Sequence, residues 1–382
     1  MYTLPLDSRV IGKRLGKTIY SDDGKVLLQK GTVITAGYLS ALLRRGYKRI
    51  YIENEIVPDI EPGDAIHEET RLRAAQCISR TLTSIAAGRR ADLAQVMSVV
   101  DEILEDLNDS SEMVFGLSTL RGVDDYTFMH CVNVSVLALI LGSALKLDKS
   151  RLKNLGVGAI LHDIGKAKVE RSILLKPSRL SPDEFARVKL HTMYGYDILS
   201  NHFGMPMESA CVALQHHERY NGGGYPDGLV GEAIHLHGRI TAVADVYDAM
   251  TSDRVYRAAM LPHNAIEFIR DEAKEEFDPK VIKVLLEKIA PYPAGTLVRL
   301  STGQVGVVIK QTPRQPLYPL VRVVTDDKLE LVEPYDLTAD PSSGVTIEAV
   351  MDRYPEKVEQ QIQLRNQPES LAKGGLERRR TW

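Results

Sequence analysis

The sequence has few cysteines and no long apolar run. Its three cysteines, Cys77, Cys131 and Cys211, lie far apart and form no C-x-x-C pair. This argues against a disulfide framework and against a thiolate zinc site. No stretch approaches the ~18 uninterrupted apolar residues that span a bilayer, and the first residues lack the apolar core of a signal peptide. We therefore expect a cytoplasmic protein that does not enter the membrane.

The sequence also lacks an excess of charge of either sign. It has 48 basic and 51 acidic residues, and its formal net charge is −3 at pH 7. This balance gives no electrostatic reason to expect a long nucleic acid as partner, although a small anionic ligand is compatible with it. Hydrophobic residues make up 44% of the 382 residues and charged residues 26%. These fractions are ordinary for a soluble globular protein of two or three folding units.

The spacing of apolar residues changes several times along the chain. Short apolar runs bounded by Gly and Asp turns, with one helical stretch, predict a small α+β module over residues 1–60. Residues 61–113 carry apolar residues at helical spacing and are interpreted as connecting helices. We interpret the apolar face of the second helix as core, with a homodimer through these helices as the alternative. That face contains Leu93, Val96, Val100, Ile103, Leu104 and Leu107.

Helical spacing continues through residues 114–290, where only Gly- and Pro-containing loops interrupt it, and predicts an all-α domain. From 291 to 350 the period becomes two, and four alternating runs predict a small antiparallel β module. Residues 351–382 are rich in Glu, Gln, Arg and Lys and are expected to form a flexible tail. The expected fold is thus mainly α, with a helical domain between two small modules.

Pairs of metal-ligating residue types follow apolar stretches at two places in the expected helical domain. His162 and Asp163 follow VGAIL, and His216 and His217 follow CVAL, so we interpret both pairs as lying on buried helices. Asp245 lies in a third apolar stretch, RITAVADVYDAM. Buried imidazoles and carboxylates need a compensating partner, and one metal ion can serve several of them.

A lone histidine on an apolar helix is more often a core residue that is hydrogen-bonded to a backbone carbonyl. This alternative applies to His130 and His191 when each is taken alone. The two doublets together are hard to explain by packing, and they favour a metal site. Imidazoles and carboxylates without a thiolate suit Fe, Mn, Co or Ni as well as Zn. No role is assigned to the histidines in polar or loop-like stretches, which are His67, His235, His237 and His263.

Six motifs in residues 114–290 resemble, in their order and spacing, those of the HD-GYP family, a branch of the HD phosphohydrolase superfamily. The motifs are DYTFMH (125–130), LHDIGK (161–166), ILLKP (173–177), HTMYGYDIL (191–199), HHERYNGGGYP (216–226) and VADVYDAMTSDRVYR (243–257). The two flanking modules are similar to accessories that are often joined to this domain.

The resemblance implies a phosphodiesterase that hydrolyses cyclic di-GMP to pGpG, with GMP as the product of a second cleavage, through a hydroxide that bridges two metals. The implied cofactor is a pair of divalent ions, iron or manganese, with zinc, cobalt and nickel left open. Tyr126 stands where some members carry a Glu that helps to hold a third metal, so two ions are expected. The implied ligands, with Asp163 as the bridge, are His130, His162, Asp163, His191, His216, His217 and Asp245.

The resemblance also implies residues that contact the substrate. Lys166 would offset charge on the scissile phosphate, and Tyr225 of the Gly-Tyr-Pro sequence would touch the substrate. Arg254 and Arg257, three apart on one helical face, would bind the second phosphate or a guanine edge. The alternative for the lysine and the two arginines is an ordinary solvated surface position.

Two other functions are kept as alternatives. The first is an HD phosphohydrolase that acts on another nucleotide, and the Gly-Tyr-Pro loop and the two arginines argue against it. The second is a catalytically weak or silent cyclic di-GMP receptor or adaptor, with a diguanylate cyclase or another signalling protein as partner. Intact residues at all seven expected ligand positions argue against a silent protein.

Overall fold

The structure, a computed structural model, describes residues 1–21, 26–60, 63–89, 91–109, 126–176, 178–252, 259–312 and 315–365. Over these residues a helical body is preceded by two small strand pairs and followed by an antiparallel sheet. The expected fold class, mainly α with a small module on each side, is confirmed.

In the described residues, the N-terminal module contains one α-helix, one short 3-10 helix (Ser8–Val10) and two pairs of strands. Its elements are β1 (Tyr2–Pro5), β2 (Ile19–Tyr20), β3 (Val26–Leu28), α1 (Ala36–Arg44) and β4 (Arg49–Ile52). Strand β1 pairs antiparallel with β4, with Tyr2 opposite Ile52, and β2 pairs with β3, with Ile19 opposite Leu28. In β1 and β4 every second side chain is buried, as the two-residue period of a strand requires.

The helical body is built around one buried helix. Its helices are α2 (Glu68–Ala86), α3 (Leu93–Asp109), α4 (Tyr126–Ala144), α5 (Lys149–Ile160), α6 (Arg171–Leu174), α7 (Pro182–Lys189), α8 (His191–Asp197), α9 (Met207–Gln215), α10 (Leu236–Thr251), α11 (Pro262–Glu267) and α12 (Pro279–Lys288). Helix α4 is apolar on all sides, and its residues 129–142 are all buried, which is typical of a central helix. Even so, none of the helices in the described ranges has the length and apolarity that crossing a membrane requires.

Helices α2 and α3 belong to this body. They pack against α4 and α5 and contribute to the same hydrophobic core. On α3, Val96, Val100 and Ile103 are fully buried, so the interpretation of this face as core is confirmed. Leu93, Leu104 and Leu107 of the same face are partly buried against this core, and the homodimer stays a prediction. The boundary expected at residue 114 does not divide the core, because α2 and α3 bury their apolar faces on the helices that follow it.

The C-terminal module is one antiparallel sheet with the strand order β8-β7-β6-β5-β9. Its strands are β5 (Leu297–Leu300), β6 (Val305–Thr312), β7 (Gln315–Thr325), β8 (Leu331–Thr338) and β9 (Ile347–Met351). The first four coincide with the four alternating runs of the sequence. Strand β9 is additional, and it pairs with β5, with Val350 opposite Val298.

A helix follows this sheet, α13 (Glu356–Arg365), so the expected flexible tail is wrong for residues 351–365. Val358 is fully buried, and the Tyr354 hydroxyl accepts a hydrogen bond from Asn54 Nδ2 at 3.0 Å. The segment is polar in composition, but a narrow apolar face is enough to dock a helix on an existing core. Residues 366–382 lie outside the described residues.

The N-terminal and C-terminal modules share one hydrophobic core. Leu4 and Ile50 from the N-terminal strands lie in the same cluster as Val305 and Val307 from the sheet. A two-stranded pair buries too little surface to be stable alone, and packing on the sheet supplies the missing apolar contact. The two modules that the sequence separates are therefore joined in space.

Candidate metal centre

All seven expected metal ligands meet in the helical body, where they form two adjacent groups. Within each group the possible donor atoms lie within 4.8 Å of one another. Six of the seven residues are buried, and the His217 side chain is 22% exposed. The first group contains Asp163, His191, His216 and His217, and the second contains His130, His162 and Asp245.

Both doublets lie in turns just after a helix, and their expected placement on the helices is wrong. Helix α5 ends at Ile160 and α9 ends at Gln215. Successive side chains on a helix do not face each other, so a turn brings both members of a doublet together more readily than a helix does. In the turns both members point inward, and the ring centroids of His216 and His217 are 4.1 Å apart.

Backbone carbonyls orient three of the imidazoles. A carbonyl oxygen only accepts, so in each case Nδ1 carries the hydrogen and Nε2 presents its lone pair to the site. Local folding of the chain thus pre-sets these histidines as ligands. The three pairs are His162 Nδ1 with the Ala159 carbonyl at 2.7 Å, His191 with Val188 at 2.6 Å, and His216 with Ala213 at 3.0 Å.

The Asp163 carboxylate lies between the two groups. Its Oδ1 is 3.4 Å from His191 Nε2 and 3.8 Å from His216 Nε2, in the first group. Its Oδ2 is 3.3 Å from His162 Nε2, in the second group. One carboxylate therefore offers an oxygen to each group, which is the placement that a bridging ligand needs.

The residues fit divalent cations. Two buried atoms that could coordinate a metal, His162 Nε2 and Asp163 Oδ1, have no hydrogen-bond partner among the described residues. Each buried polar atom without a partner lowers the stability of the fold by ~1–3 kcal/mol. The Nε2 atoms of His191 and His216, which both carry lone pairs, face each other at 3.3 Å. A cation in the first group would satisfy Asp163 Oδ1 and the two facing Nε2 atoms, and a cation in the second group would satisfy His162 Nε2. Nitrogen and oxygen donors without a thiolate suit divalent iron, manganese, cobalt, nickel or zinc.

The electrostatics of the two groups also favour metal binding. Burial lowers the pKa of His216 well below its usual range and the pKa of His217 to about 3, so both rings are neutral and able to coordinate. Burial acts to raise the pKa of Asp163, but the Lys166 ammonium and the His162 ring outweigh it and hold the pKa well below its usual range. Asp163 is therefore an anion at neutral pH.

His130 lies between two carboxylates. Its Nε2 is 3.1 Å from Asp245 Oδ1, and its Nδ1 is 2.7 Å from Asp248 Oδ2. Burial alone would lower the pKa of His130, but these two hydrogen bonds outweigh burial and raise the pKa to about 9. The pocket thus favours a positive charge between His130 and Asp245, which a divalent ion would supply.

Lys166 reaches the edge of the metal groups. It lies on the 3-10 turn Ile164–Lys168, and its Nζ is 2.5 Å from Asp163 Oδ2. The lysine side chain remains 36% exposed. Burial acts to lower the pKa of Lys166, but the Asp163 carboxylate outweighs it and raises the pKa. The ammonium therefore stays charged beside the site, where an incoming anion can reach it.

The Gly-Tyr-Pro loop covers the first group. The Tyr225 ring stacks on the ring of His217. Gly224 is required by space, because a Cβ atom there would lie 2.3 Å from the Arg219 amide nitrogen. Glu218, which is 1% exposed, accepts hydrogen bonds from the amides of Asp227 at 2.8 Å and Leu229 at 3.1 Å, and so holds the far side of the loop.

Comparison with known proteins identifies the family. Residues 102–281 match the family described as HD domain, and residues 297–342 match the KOW domain associated with HD domain. The chain is 38% identical over 291 residues to a cyclic di-GMP phosphodiesterase of Pseudomonas aeruginosa, an alignment that covers 74% of this chain and 69% of that protein. The chain belongs to the HD-GYP family.

Other relatives match over shorter ranges. A cyclic di-GMP phosphodiesterase response regulator of Xanthomonas campestris is 35% identical over 224 residues, with 57% of this chain and 58% of that protein covered. A 3′3′-cGAMP-specific phosphodiesterase of Vibrio cholerae is 33% identical over 188 residues, with 48% of this chain and 36% of that protein covered. The family that the six motifs resemble is thereby confirmed.

Two of the expected HD-GYP substrate residues cannot be placed in the structure. Arg254 and Arg257 lie outside the described residues, in the interval 253–258. Their proposed contacts with a phosphate or a guanine edge stay predictions from the sequence. The four histidines to which no role was assigned, His67, His235, His237 and His263, belong to neither ligand group.

The sequence did not point to the residues behind the HD-GYP ligands. Asp248, which is 2% exposed, holds His130, and Glu218 holds the Gly-Tyr-Pro loop. A signal for Asp248 was available, because it stands three residues after Asp245 on the same face of an otherwise apolar helix. Glu218 gave no such signal, since a glutamate after two histidines also suits an exposed turn.

Proposed function

We propose that this chain is a metal-dependent phosphodiesterase that hydrolyses cyclic di-GMP to linear pGpG, with GMP as the product of a second cleavage. The observation that carries the proposal is the pair of ligand groups that meet at Asp163. Two ions ~3.5–4 Å apart that share ligands are a recurrent arrangement for in-line attack on phosphodiesters. Relatives at 38% and 35% identity are named cyclic di-GMP phosphodiesterases, which supports this substrate.

The residues around the two ligand groups are proposed to have separate roles in metal binding, charge stabilisation and substrate binding. Divalent ions held there would lower the pKa of a coordinated water and offset the negative charge of the phosphate. Asp163 is proposed to bridge the two positions, and Lys166 to stabilise charge on the scissile phosphate. Tyr225 is proposed to contact the substrate from the loop that covers His217. Arg254 and Arg257 are proposed to hold the second phosphate or a guanine.

We propose two ions per chain, of iron or manganese. The seven donors divide into two groups, and Asp163 offers an oxygen to each. Tyr126 brings no carboxylate to the first motif, and a phenol of pKa ~10 is a poor ligand for a hard divalent ion at neutral pH. Elemental analysis of protein purified without oxygen should give about two ions per chain. Three ions in the wild type would contradict this, and a Tyr126→Glu variant tests whether a third position can be created.

A second cyclic dinucleotide is a specific alternative substrate. The relative from Vibrio cholerae at 33% identity is named as specific for 3′3′-cGAMP, so residues of this family can be adapted to a mixed purine ligand. The metal groups act on the phosphodiester, which the two nucleotides share. Discrimination must then come from contacts to the bases, for which the Arg254 and Arg257 side chains are the proposed candidates.

The decisive experiment is a product analysis with metal-loaded protein. The protein is incubated with cyclic di-GMP or 3′3′-cGAMP, and the linear products are separated over time, with Asp163→Asn as the inactive control. Formation of pGpG supports the proposal, and hydrolysis of 3′3′-cGAMP alone would favour the second substrate. Binding of cyclic di-GMP without turnover by fully metal-loaded protein would favour the receptor alternative.

A further inference from the structure

A charged side chain is fully buried between the metal centre and the N-terminal module. Arg71 of α2 has no exposed surface. Burial of a guanidinium is costly unless its N–H groups are hydrogen-bonded. The hydrogen-bond partners of a buried arginine are therefore the groups that it holds in position. Arg71 Nη1 donates to Asn133 Oδ1 of α4 at 2.6 Å, and Nη2 donates to Asp64 Oδ1 at 2.5 Å.

The contacts of Arg71 continue to a metal ligand. Asn133 Nδ2 donates to Asp248 Oδ1 at 2.8 Å, and Asp248 Oδ2 accepts from His130 Nδ1 at 2.7 Å. A guanidinium only donates and a carboxylate only accepts, so the Asn133 amide can lie between them in one orientation alone. Arg71 and Asp248 therefore select the same orientation of the amide, and Arg71 holds the amide oxygen in the position from which Nδ2 reaches Asp248.

His130 differs in this respect from the histidines that local backbone holds. The Nδ1 atoms of His162, His191 and His216 donate to carbonyls three residues earlier in the chain. Such contacts form whenever the turn forms. The acceptor for His130 is a side chain 118 residues away, and its position depends on Asn133 and Arg71. The orientation of His130 thus depends on tertiary contacts, which a change elsewhere in the chain can alter.

The outer end of this chain of contacts lies in the N-terminal module. Asp64 Oδ2 accepts a hydrogen bond from Lys17 Nζ at 3.3 Å. Lys17 and Asp64 are partly exposed, with 31% and 14% of their side-chain surface accessible. A change at this surface can therefore reach Arg71 through a single shared carboxylate.

We propose that Arg71 is a positioning residue for the metal ligand His130, and that the contacts Lys17–Asp64–Arg71–Asn133–Asp248 couple the N-terminal module to the group of His130, His162 and Asp245. The inference rests on the metal centre proposed above. Without Arg71 the Asn133 amide oxygen loses its donor and the amide is free to shift, the contact that holds Asp248 weakens, and the position of the His130 ring becomes less restrained. Partners behind a metal ligand typically change metal affinity by about 10–100-fold.

The test is a metal titration of the full chain with Mn²⁺, after removal of bound metal, for wild type and Arg71→Met. We expect two sites in the wild type, and in Arg71→Met one site weakened by about 10–100-fold with the other unchanged. A purely structural role would lower the melting temperature and leave both affinities as they were. A folded Arg71→Met protein with two wild-type affinities therefore overturns the proposal.

Arg239→Met is the matched control. Arg239 lies on α10, the helix that carries Asp245, and its Nη1 donates to the buried Asp278 at 2.6 Å. The substitution also breaks a largely buried arginine–carboxylate pair, but Asp278 caps α12 and contacts no metal ligand in the described contacts. We expect Arg239→Met to lower the melting temperature with both Mn²⁺ affinities unchanged. Equal weakening of one site in both variants would make the effect of Arg71 non-specific and overturn the proposal.

Two further variants keep the test decisive. If Arg71→Met does not fold, Asn133→Ala interrupts the same contacts while Arg71 stays paired with Asp64, and the same single site should weaken. Lys17→Met tests the outer end, and an unchanged affinity in that variant overturns the coupling to the N-terminal module. Wild-type protein that binds no Mn²⁺ would instead reject the metal centre itself, so failure of the two proposals can be told apart.

Discussion

The ring of Tyr225 is stacked on the ring of His217, with centroids 4.7 Å apart and planes 27° apart. Lys189 Nζ lies 5.1 Å from the centroid of the same tyrosine ring. The Phe185 ring packs edge-on against the tyrosine ring, with ring centroids 6.4 Å apart. Tyr225 therefore joins a metal-ligand candidate to residues of α7. The stacked ring gives the Gly-Tyr-Pro loop a flat surface that restrains His217, and the Tyr225 hydroxyl is the group proposed to contact the substrate.

Separate Tyr225 variants should resolve these two contributions. Tyr225→Phe keeps the stacked ring and removes the hydroxyl, so we expect unchanged metal content and a KM raised about 2–10-fold, the value of one hydrogen bond. Tyr225→Ala removes the ring as well and should also lower metal occupancy. Steady-state kinetics and elemental analysis measure the two effects. Tyr335→Phe, in the remote sheet, is the control and should change neither.

Replacement of Asp163 by Ala should abolish hydrolysis and empty at least one metal position. The reason is that its two oxygens face different ligand groups, so both groups lose a donor. Metal content per chain and product formation are measured on the same preparation. Asp197→Ala is the control, since Asp197 pairs with Lys168 at the surface. Full metal occupancy in Asp163→Ala would contradict a bridging role.

Gly165→Ala should disrupt the centre through sterics alone. A Cβ atom at this position would lie 1.9 Å from the His191 carbonyl oxygen and 2.5 Å from the Gly195 amide nitrogen. The turn that carries Asp163 must then move away from α8, at a cost of at least ~1–3 kcal/mol. Chemical denaturation and metal analysis should both show the loss. Gly37→Ala is the control, because its nearest contact would be Thr35 Oγ1 at 3.7 Å.

His237 should make folding stability depend on pH. It is fully buried on α10, although the sequence placed it in a polar context, and burial lowers its pKa to about 4, with a further contribution from His235. An unfolded histidine has a pKa of ~6.5. Between these values the unfolded chain binds a proton that the folded chain does not, so the free energy of unfolding falls as pH falls. Between pH ~6.5 and pH ~4 the contribution of His237 to the free energy of unfolding falls by ~3 kcal/mol.

His237→Leu removes this dependence. The free energy of unfolding of wild type and variant is measured by urea denaturation at pH 7.5 and at pH 5, with the same metal present. The variant should lose less stability than wild type on going to pH 5. A difference between the two proteins that is the same at both pH values would contradict the prediction.

Arg254→Ala should raise KM while the metals stay bound. Loss of a charge-assisted contact to phosphate costs ~1.5–3 kcal/mol, which corresponds to about 10–100-fold in affinity. Steady-state kinetics with cyclic di-GMP and elemental analysis provide the measurement. An unchanged KM would contradict a substrate contact and favour the alternative, in which Arg254 is an ordinary solvated surface residue.

Much of the centre could be predicted from the sequence because its chemistry needs particular residue types in a particular order. The doublets at His162 and His216 follow apolar stretches, and that contrast between buried context and polar side chain is visible without coordinates. The period of two likewise predicted four of the five strands of the C-terminal sheet. These features are local, since a short window of sequence contains both the signal and the structure that it predicts.

Only the tertiary structure decided which distant residues meet. Strand β9 pairs with β5 across about fifty residues, and α13 docks on a core whose other half begins at Tyr2. The contacts from Arg71 through Asn133 to Asp248 join three helices that no periodicity relates. Apolar spacing specifies that a face is buried, but not what covers it, because the free energy of burial depends on area rather than on partner. The choice of partner is made when the whole chain packs.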